Sequence, residues 1–195
     1  MATCSKIAAN ILYGCTDMVA GIKDTLIFIN IDDIDKEAST FDPGNPILLT
    51  QIALVAGASG FKLEGHNYSN EHDTALVKKT YYNSWEHNQR FRIFDNTPDV
   101  KEYINTLVKA RFAVIIENNY SSIASPAGQS VFEILGWDFG LEVKECVRVA
   151  ADQELAGGWN VLAGCSENMK ESKPPLALFV GGSLTATRAA VAALL

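Results

Sequence analysis

Thr97-Pro98-Asp99-Val100-Lys101-Glu102-Tyr103-Ile104-Asn105-Thr106-Leu107-Val108-Lys109 decides the fold, because it is the clearest helix signal in the chain and stands among strand-like segments. Thr97 suits an N-cap, Pro98 the first helical turn, and Asp99 the positive end of the helix dipole. Val100, Tyr103, Ile104, Leu107 and Val108 recur at helical spacing, while Asp99, Lys101, Glu102, Asn105 and Lys109 take the other side. A helix over about 97–110 with one apolar face is expected to cover a sheet.

Working outward, Phe112-Ala113-Val114-Ile115-Ile116 reads as a buried strand, and Asn118-Asn119 with Ser121-Ser122 as a turn region. Val131-Phe132-Glu133-Ile134-Leu135, closed by Gly136, reads as a strand. So does Leu141 to Val149, whose apolar–polar alternation is broken only at Glu145. Ala156-Gly157-Gly158 turns the chain into a strand from Trp159 to Ala163, and Leu176 to Val180 makes a last one. Ser183 or Thr185 can then cap a short alanine-rich helix at the C-terminus.

On the N-terminal side, Asn88 to Phe94 reads as a half-exposed strand, with arginines on one side of the pleat and Phe91 and Ile93 on the other. Gly65 to His87 reads as a long polar loop, about 65–87. Ile47 to Ala56 is a strand joined through Gly57-Ala58-Ser59-Gly60, as a tight hairpin connection, to Phe61-Lys62-Leu63-Glu64. Thr25 to Ile31 is β-branched and aromatic and reads as a strand; ahead of it lies an N-terminal arm of about 1–22. About eight short strands with one long helix among them predict a single, mainly β (α+β) domain over 1–195: an antiparallel sandwich or barrel with one flanking helix and a short C-terminal helix. Regular βαβ alternation is absent, which argues against a doubly wound nucleotide-binding fold.

Composition narrows the function. With 195 residues, 48% hydrophobic and 20% charged, the chain is of ordinary globular make-up. Its longest apolar run, Ala189 to Leu195, is far short of the ~20 residues of a membrane span. Asn10 interrupts the apolar residues after Lys6, so no secretory leader is expected and synthesis in a cytoplasm is. Cys4, Cys15, Cys146 and Cys165 lack CxxC spacing and are expected to be free thiols. A net charge of −7 repels phosphate backbones, which disfavours conventional nucleic-acid binding.

Chemistry-bearing motifs are scarce. Neither GxGxxG nor GxxxxGK[ST] occurs, and Gly57-Ala58-Ser59-Gly60 lacks the spacing of a nucleophile elbow. His66 and His72 with Glu71 and Asp73 are the best metal-ligand group, yet their spacing suits a solvated polar loop better. His87 stands alone and reads as a strand-end residue. Asp32, Asp33, Asp35 and Glu37 lack the glycine and terminal glutamate of a calcium loop and read as an acidic turn. Glu133, Glu142 and Glu145 offer carboxylates for a glycosidase on facing strands, against the simpler reading of charges on exposed sheet faces. Trp137 and Trp159 read as core. Catalytic, cofactor and metal sites are therefore expected to be none. Tyr68, Tyr81, Tyr82 and Trp85, large aromatics in a polar stretch, are the candidate inter-subunit contact.

Several stretches carry a resemblance. They are the arm Ser5 to Cys15, Ile27-Phe28-Ile29-Asn30 with Asp32-Asp33-Ile34-Asp35, Phe61 to Gly65, Ala113 to Asn119, Val131 to Gly136 with Gly140-Leu141, and Ala186 to Leu195. In these the chain resembles the tail tube proteins of tailed phages and prophages of Bacteroidetes-type hosts. The resemblance covers nearly the whole chain as a pattern, without a catalytic signature. It implies a non-enzymatic virion structural protein, assembled in the host cytoplasm, with six subunits to a ring and rings stacked into a hollow tail tube. Inner strands would close into one barrel around a lumen through which DNA passes unbound. Arms and long loops, here 1–22 and 65–87, would reach the adjacent ring. Implied partners are further copies of the chain, the tape measure, a terminator and the baseplate hub, with no membrane and no cofactor. A tail terminator or capsid decoration protein is the related reading; a β-sandwich carbohydrate-binding module or glycoside hydrolase is the alternative from another class.

Overall fold

The computed structural model describes residues 20–66, 68–119, 128–153 and 156–195. The expected N-terminal arm lies almost wholly outside the described residues, as do Cys4, Cys15 and the Ser121-Ser122 turn.

The protein is mainly β, as expected, with eleven strands in one open mixed sheet and two helices among the described residues. The strands are β1 (Ile22–Asn30), β2 (Thr40–Asp42), β3 (Asn45–Gln51), β4 (Phe61–Glu64), β5 (Glu71–Lys78) and β6 (Asn83–Ile93). After helix α1 (Pro98–Leu107) come β7 (Phe112–Asn118), β8 (Phe132–Leu135), β9 (Leu141–Arg148), β10 (Trp159–Cys165) and β11 (Leu176–Leu178). Helix α2 (Leu184–Ala192) closes the chain.

The sheet folds back on itself into two leaves. One runs β2-β3-β11-β8-β7-β1-β4, antiparallel except where β3 and β11 pair in parallel; the other runs β9-β10-β6-β5, antiparallel throughout. The leaves join where Phe112 of β7 stands opposite Leu141 of β9. Both faces of β1 and β7 are covered, which is why they read as unbroken apolar runs rather than as alternation. On one face Ile27, Ile29, Ala113 and Ile115 pack with Trp137 and with Val191 and Leu194 near the C-terminus. On the other, Leu26, Phe28, Phe112, Val114 and Ile116 meet Phe91, Val161 and Ala163 of the second leaf. Phe28 stacks edge-on against Phe91 and Phe112, with ring centroids 5.2 and 5.1 Å apart.

Local signals were obeyed where they were strong. Thr97 caps α1 with Pro98 in its first turn, and Ser183 caps α2 through its hydroxyl and the Ala186 amide. The break in alternation at Glu145 is a β-bulge: Leu162 faces Glu145 while the next residue, Ala163, faces Val143, leaving Lys144 as the extra residue. Only Ile104 of α1 is buried, however, and Tyr103 stays exposed, so the helix covers less than its apolar face suggests.

Two readings need correction. The 65–87 stretch is not a long loop: Glu71–Lys78 and Asn83–Ile93 form a long antiparallel hairpin, Glu71 opposite Arg90 and Lys78 opposite Asn83. Nor do Gly57 to Gly60 make a hairpin turn. After β3 the chain leaves the ladder, Ala53 and Leu54 lie against Asp35 and Ile34, and β4 pairs with β1, Phe61 opposite Phe28. The true hairpin partner of β3 is β2, around Pro43-Gly44, where Asp42 accepts from the Gly44 amide. Among the described residues no helix is long and apolar enough to cross a membrane.

Candidate functional site

The aromatic group does not gather. Tyr81 and Tyr82, 96% and 60% exposed, sit on the β5–β6 turn, whereas Tyr68, 81% exposed and at a φ of 60°, lies beyond the opposite end of β5. The eight residues of β5 between them span about 25 Å at ~3.3 Å per residue. Trp85 is half-buried on β6, and its backbone exchanges two hydrogen bonds with Glu171. Tyr81 and Tyr82 therefore form an exposed aromatic tip, Tyr68 a separate exposed aromatic, and Trp85 part of the wall.

That hairpin belongs to the β9-β10-β6-β5 leaf, whose inner face packs on the core and whose outer face is mostly polar, with Ala75, Leu162 and Val147 among its charged and amide side chains. Alternation puts Glu71, Asp73, Glu86, Asn88, Arg90, Asn160, Glu142 and Glu145 outward. Many of these charges are answered within the face. Glu71 meets Arg90 at 3.3 Å, Asp73 accepts from Asn88 at 2.9 Å, and Glu86 takes Lys144 at 2.6 Å and Lys170 at 2.9 Å. The hydrogen bonds from Lys144 and then Lys170 hold the Glu86 carboxyl below its ordinary range.

Both edges of this leaf are open. β5 pairs with β6 alone, and β9 beyond Leu141 has only β10, so among the described residues one ladder side of each strand carries unpaired donors and acceptors. Leu76, in the middle of the β5 edge, is 53% exposed.

Between the leaves lies a buried polar knot that no sequence motif announces. His87 is not a strand end: it stands mid-β6, fully buried, and takes the Gly136 amide on Nδ1 at 3.2 Å. That leaves Nε2 to donate to the Lys173 carbonyl at 3.1 Å, which fixes one neutral tautomer. Burial lowers its pKa to about 4. Glu171, also buried, accepts from the amides of Asp138 at 2.6 Å and Phe139 at 3.1 Å, and burial pushes its carboxyl up. Asp138 in turn accepts from the Ser172 amide and hydroxyl. Each polar group holds the Gly136–Gly140 turn, so the knot is structural. Sequence had no route to it, because its members come from β6, the β8–β9 turn and the segment before β11.

The other candidates disperse. Glu71 and Asp73 point outward while His72 points inward, 3.6 Å from Glu133, and His66 meets the Phe94 ring edge-on. Asp33 takes the Asn30 amide group, and Asp35 accepts from the backbone of Glu37 and Ala38, as a turn requires. No group of three metal-ligating side chains converges among the described residues. Glu133 lies between the leaves, whereas Glu142 and Glu145 lie on the outer face of the second, so the three do not flank one bond. Trp137 is buried and Trp159 half-buried against the core, as read. Cys146 and Cys165 are free thiols, and burial raises the pKa of each. Compared with known proteins, the chain matches no family model, no curated protein and no solved structure.

Proposed function

We propose that the protein is a self-assembling structural subunit, the tail tube protein of a phage virion, whose copies form stacked rings around a lumen. The observation that carries this reading is the β9-β10-β6-β5 leaf: open at both edges among the described residues, packed on its own core by one face, mostly polar on the other. Closing such leaves edge to edge removes both uncovered ladder sides of the leaf and turns its outer face toward the enclosed space. A wall whose cations Arg90 and Lys144 are already paired with carboxylates, on a chain of net charge −7, offers DNA no row of cations to grip. Its repulsion reaches about one Debye length, ~8 Å at physiological salt. The exposed Tyr81-Tyr82 tip suits contact with the next ring. Terminator, tape measure and baseplate hub are the further partners of this reading.

Electron microscopy of the purified full chain over a concentration series tests it. Rings or tubes with a central channel are expected. A strictly monomeric species at every concentration, and in the presence of tail-assembly nucleators, overturns it.

A further inference from the structure

We infer that the Gly136–Gly140 turn is a hinge between the two leaves, locked by the His87 ring and unlocked when acid places a proton on it. The chain passes between the leaves here by its shortest route: β8 lies in one, β9 in the other, and only the turn joins them. Among the described strands the leaves share one ladder pair, Phe112 with Leu141, and the turn delivers the chain straight into it.

The turn is built as a pivot. Glycines at positive φ stand at both ends, Gly136 at 72° and Gly140 at 81°, and the Gly140 amide donates to the Gly136 carbonyl at 3.1 Å. Three further amides are held from outside: Gly136 by His87 Nδ1, and Asp138 and Phe139 by the Glu171 carboxylate. Two buried titratable side chains therefore grip the turn, one at each half.

The lock follows from how the ring is bonded. Nε2 donates to the Lys173 carbonyl, so the one lone pair is on Nδ1, and the Gly136 amide occupies it. A proton can enter only there. It turns Nδ1 into a donor facing another donor, and a closed turn then leaves the Gly136 N–H buried without a partner. The charged ring holds the Lys173 carbonyl more strongly than before, so the segment before β11 stays and the Gly136 end of the turn moves. Glu171 works the other way. Burial pushes its carboxyl up, so acid favours its closed state, and its backbone pair with Trp85 keeps it on β6. Movement is thereby confined to the Gly136 half.

The groups around the ring set where this happens. From the turn, Asp138 favours the proton; from β5, His72, itself 3.6 Å from Glu133 of β8, opposes it. β10 offers the Cys165 sulfur, which accepts the His87 amide at 3.3 Å, and Lys173 sends its ammonium away to the Pro46 carbonyl. Lys36 donates to the Asp138 carbonyl at 2.7 Å. Burial outweighs the groups that favour the proton and lowers the closed ring to about 4, whereas a ring freed by opening returns toward 6.5. The open turn then binds more protons than the closed one, so opening is favoured progressively as pH falls between those values.

Hydrogen exchange on the full chain, corrected for the intrinsic effect of pH on exchange, tests the hinge. Protection of the Gly136 amide should fall about tenfold from pH 6.5 to about 5, while the amides of β7 keep theirs. His87→Gln, which takes no proton, should leave Gly136 protection independent of pH. Asp138→Asn keeps an acceptor for Ser172 but removes the charge that favours the proton, so it should move the fall to lower pH. That variant decides the matter if His87→Gln does not fold. Gly136 protection that is flat in the wild type, that falls in step with β7, or that falls equally in His87→Gln overturns the hinge, as does an unmoved profile in Asp138→Asn.

Discussion

Phe112 stands directly opposite Leu141, and at this ladder pair the seven-strand leaf passes into the four-strand leaf. Both side chains are fully buried, in the core that also holds Phe28 and Phe91. The pair ties the open, polar leaf to the body of the subunit and sets where the β9 edge begins. Leu141→Ala is expected to cost about 2–5 kcal/mol in urea unfolding, from lost burial plus a cavity between the leaves. A loss below ~1 kcal/mol would mean the junction can collapse around the gap and does not fix the leaf.

Gly136 precedes that pair at a φ of 72°, and a Cβ there would lie 2.9 Å from Leu141 Cγ and 3.0 Å from its backbone nitrogen. Gly136→Ala should therefore destabilise by roughly 2 kcal/mol or more, through both left-handed strain and the clash. Gly57 makes the control. Its φ is 85° but a Cβ there would meet nothing within 4 Å, so Gly57→Ala should show the conformational cost alone, about 1 kcal/mol. Equal thermal shifts in the two variants would contradict the packing argument.

The buried histidine makes stability depend on pH. His87 has a pKa lowered from 6.5 to about 4, chiefly by burial, with the Lys173 carbonyl and Asp138 opposing the shift and His72 adding to it. Between those values the unfolded chain binds more protons than the folded one, so stability falls as pH drops through the window and levels off below it, by at most ~3 kcal/mol. Glu171 acts in the opposite sense: its raised carboxyl favours the fold at low pH and costs stability as pH rises through its folded value. His87→Gln should lower stability at neutral pH and flatten the slope of denaturation free energy between pH 6.5 and 4. An unchanged slope would assign the dependence to other groups.

Gln89 is fully buried on β6, and its Oε1 has no hydrogen-bond partner while its amide group donates to the Arg90 carbonyl. Removing an acceptor that is already unsatisfied forfeits little, so Gln89→Met is expected to change stability by less than ~1 kcal/mol or to raise the melting temperature. A loss above ~2 kcal/mol would show that Oε1 is satisfied in solution, by a water between the leaves.

Legibility in the sequence followed the range of the forces. The α1 cap at Thr97-Pro98, the apolar runs of β1 and β7, and the break in alternation at Glu145 rest on residues a few positions apart, and each was readable; that the break is a bulge came from the ladder with β10. β5 was not. As an edge strand with one face in water and the other at the rim of the core, it alternates too weakly to declare itself, and only pairing with β6 makes it a strand. The aromatic group failed for a related reason: Tyr68 and Tyr81 are close in number but separated by the extended length of that same strand.

By itself, then, the sequence determined the mainly β class, the position of both helices and the central strands, because caps and buried apolar runs act locally. Tertiary structure alone decided that the sheet breaks into two leaves at Phe112 and Leu141, and that His87, Asp138 and Glu171 meet between β6, the β8–β9 turn and the segment before β11. It also decided that β5 and β9 are left as the open edges of the second leaf among the described residues. Those outcomes depend on which distant strands share backbone hydrogen bonds, and every backbone carries the same donors and acceptors.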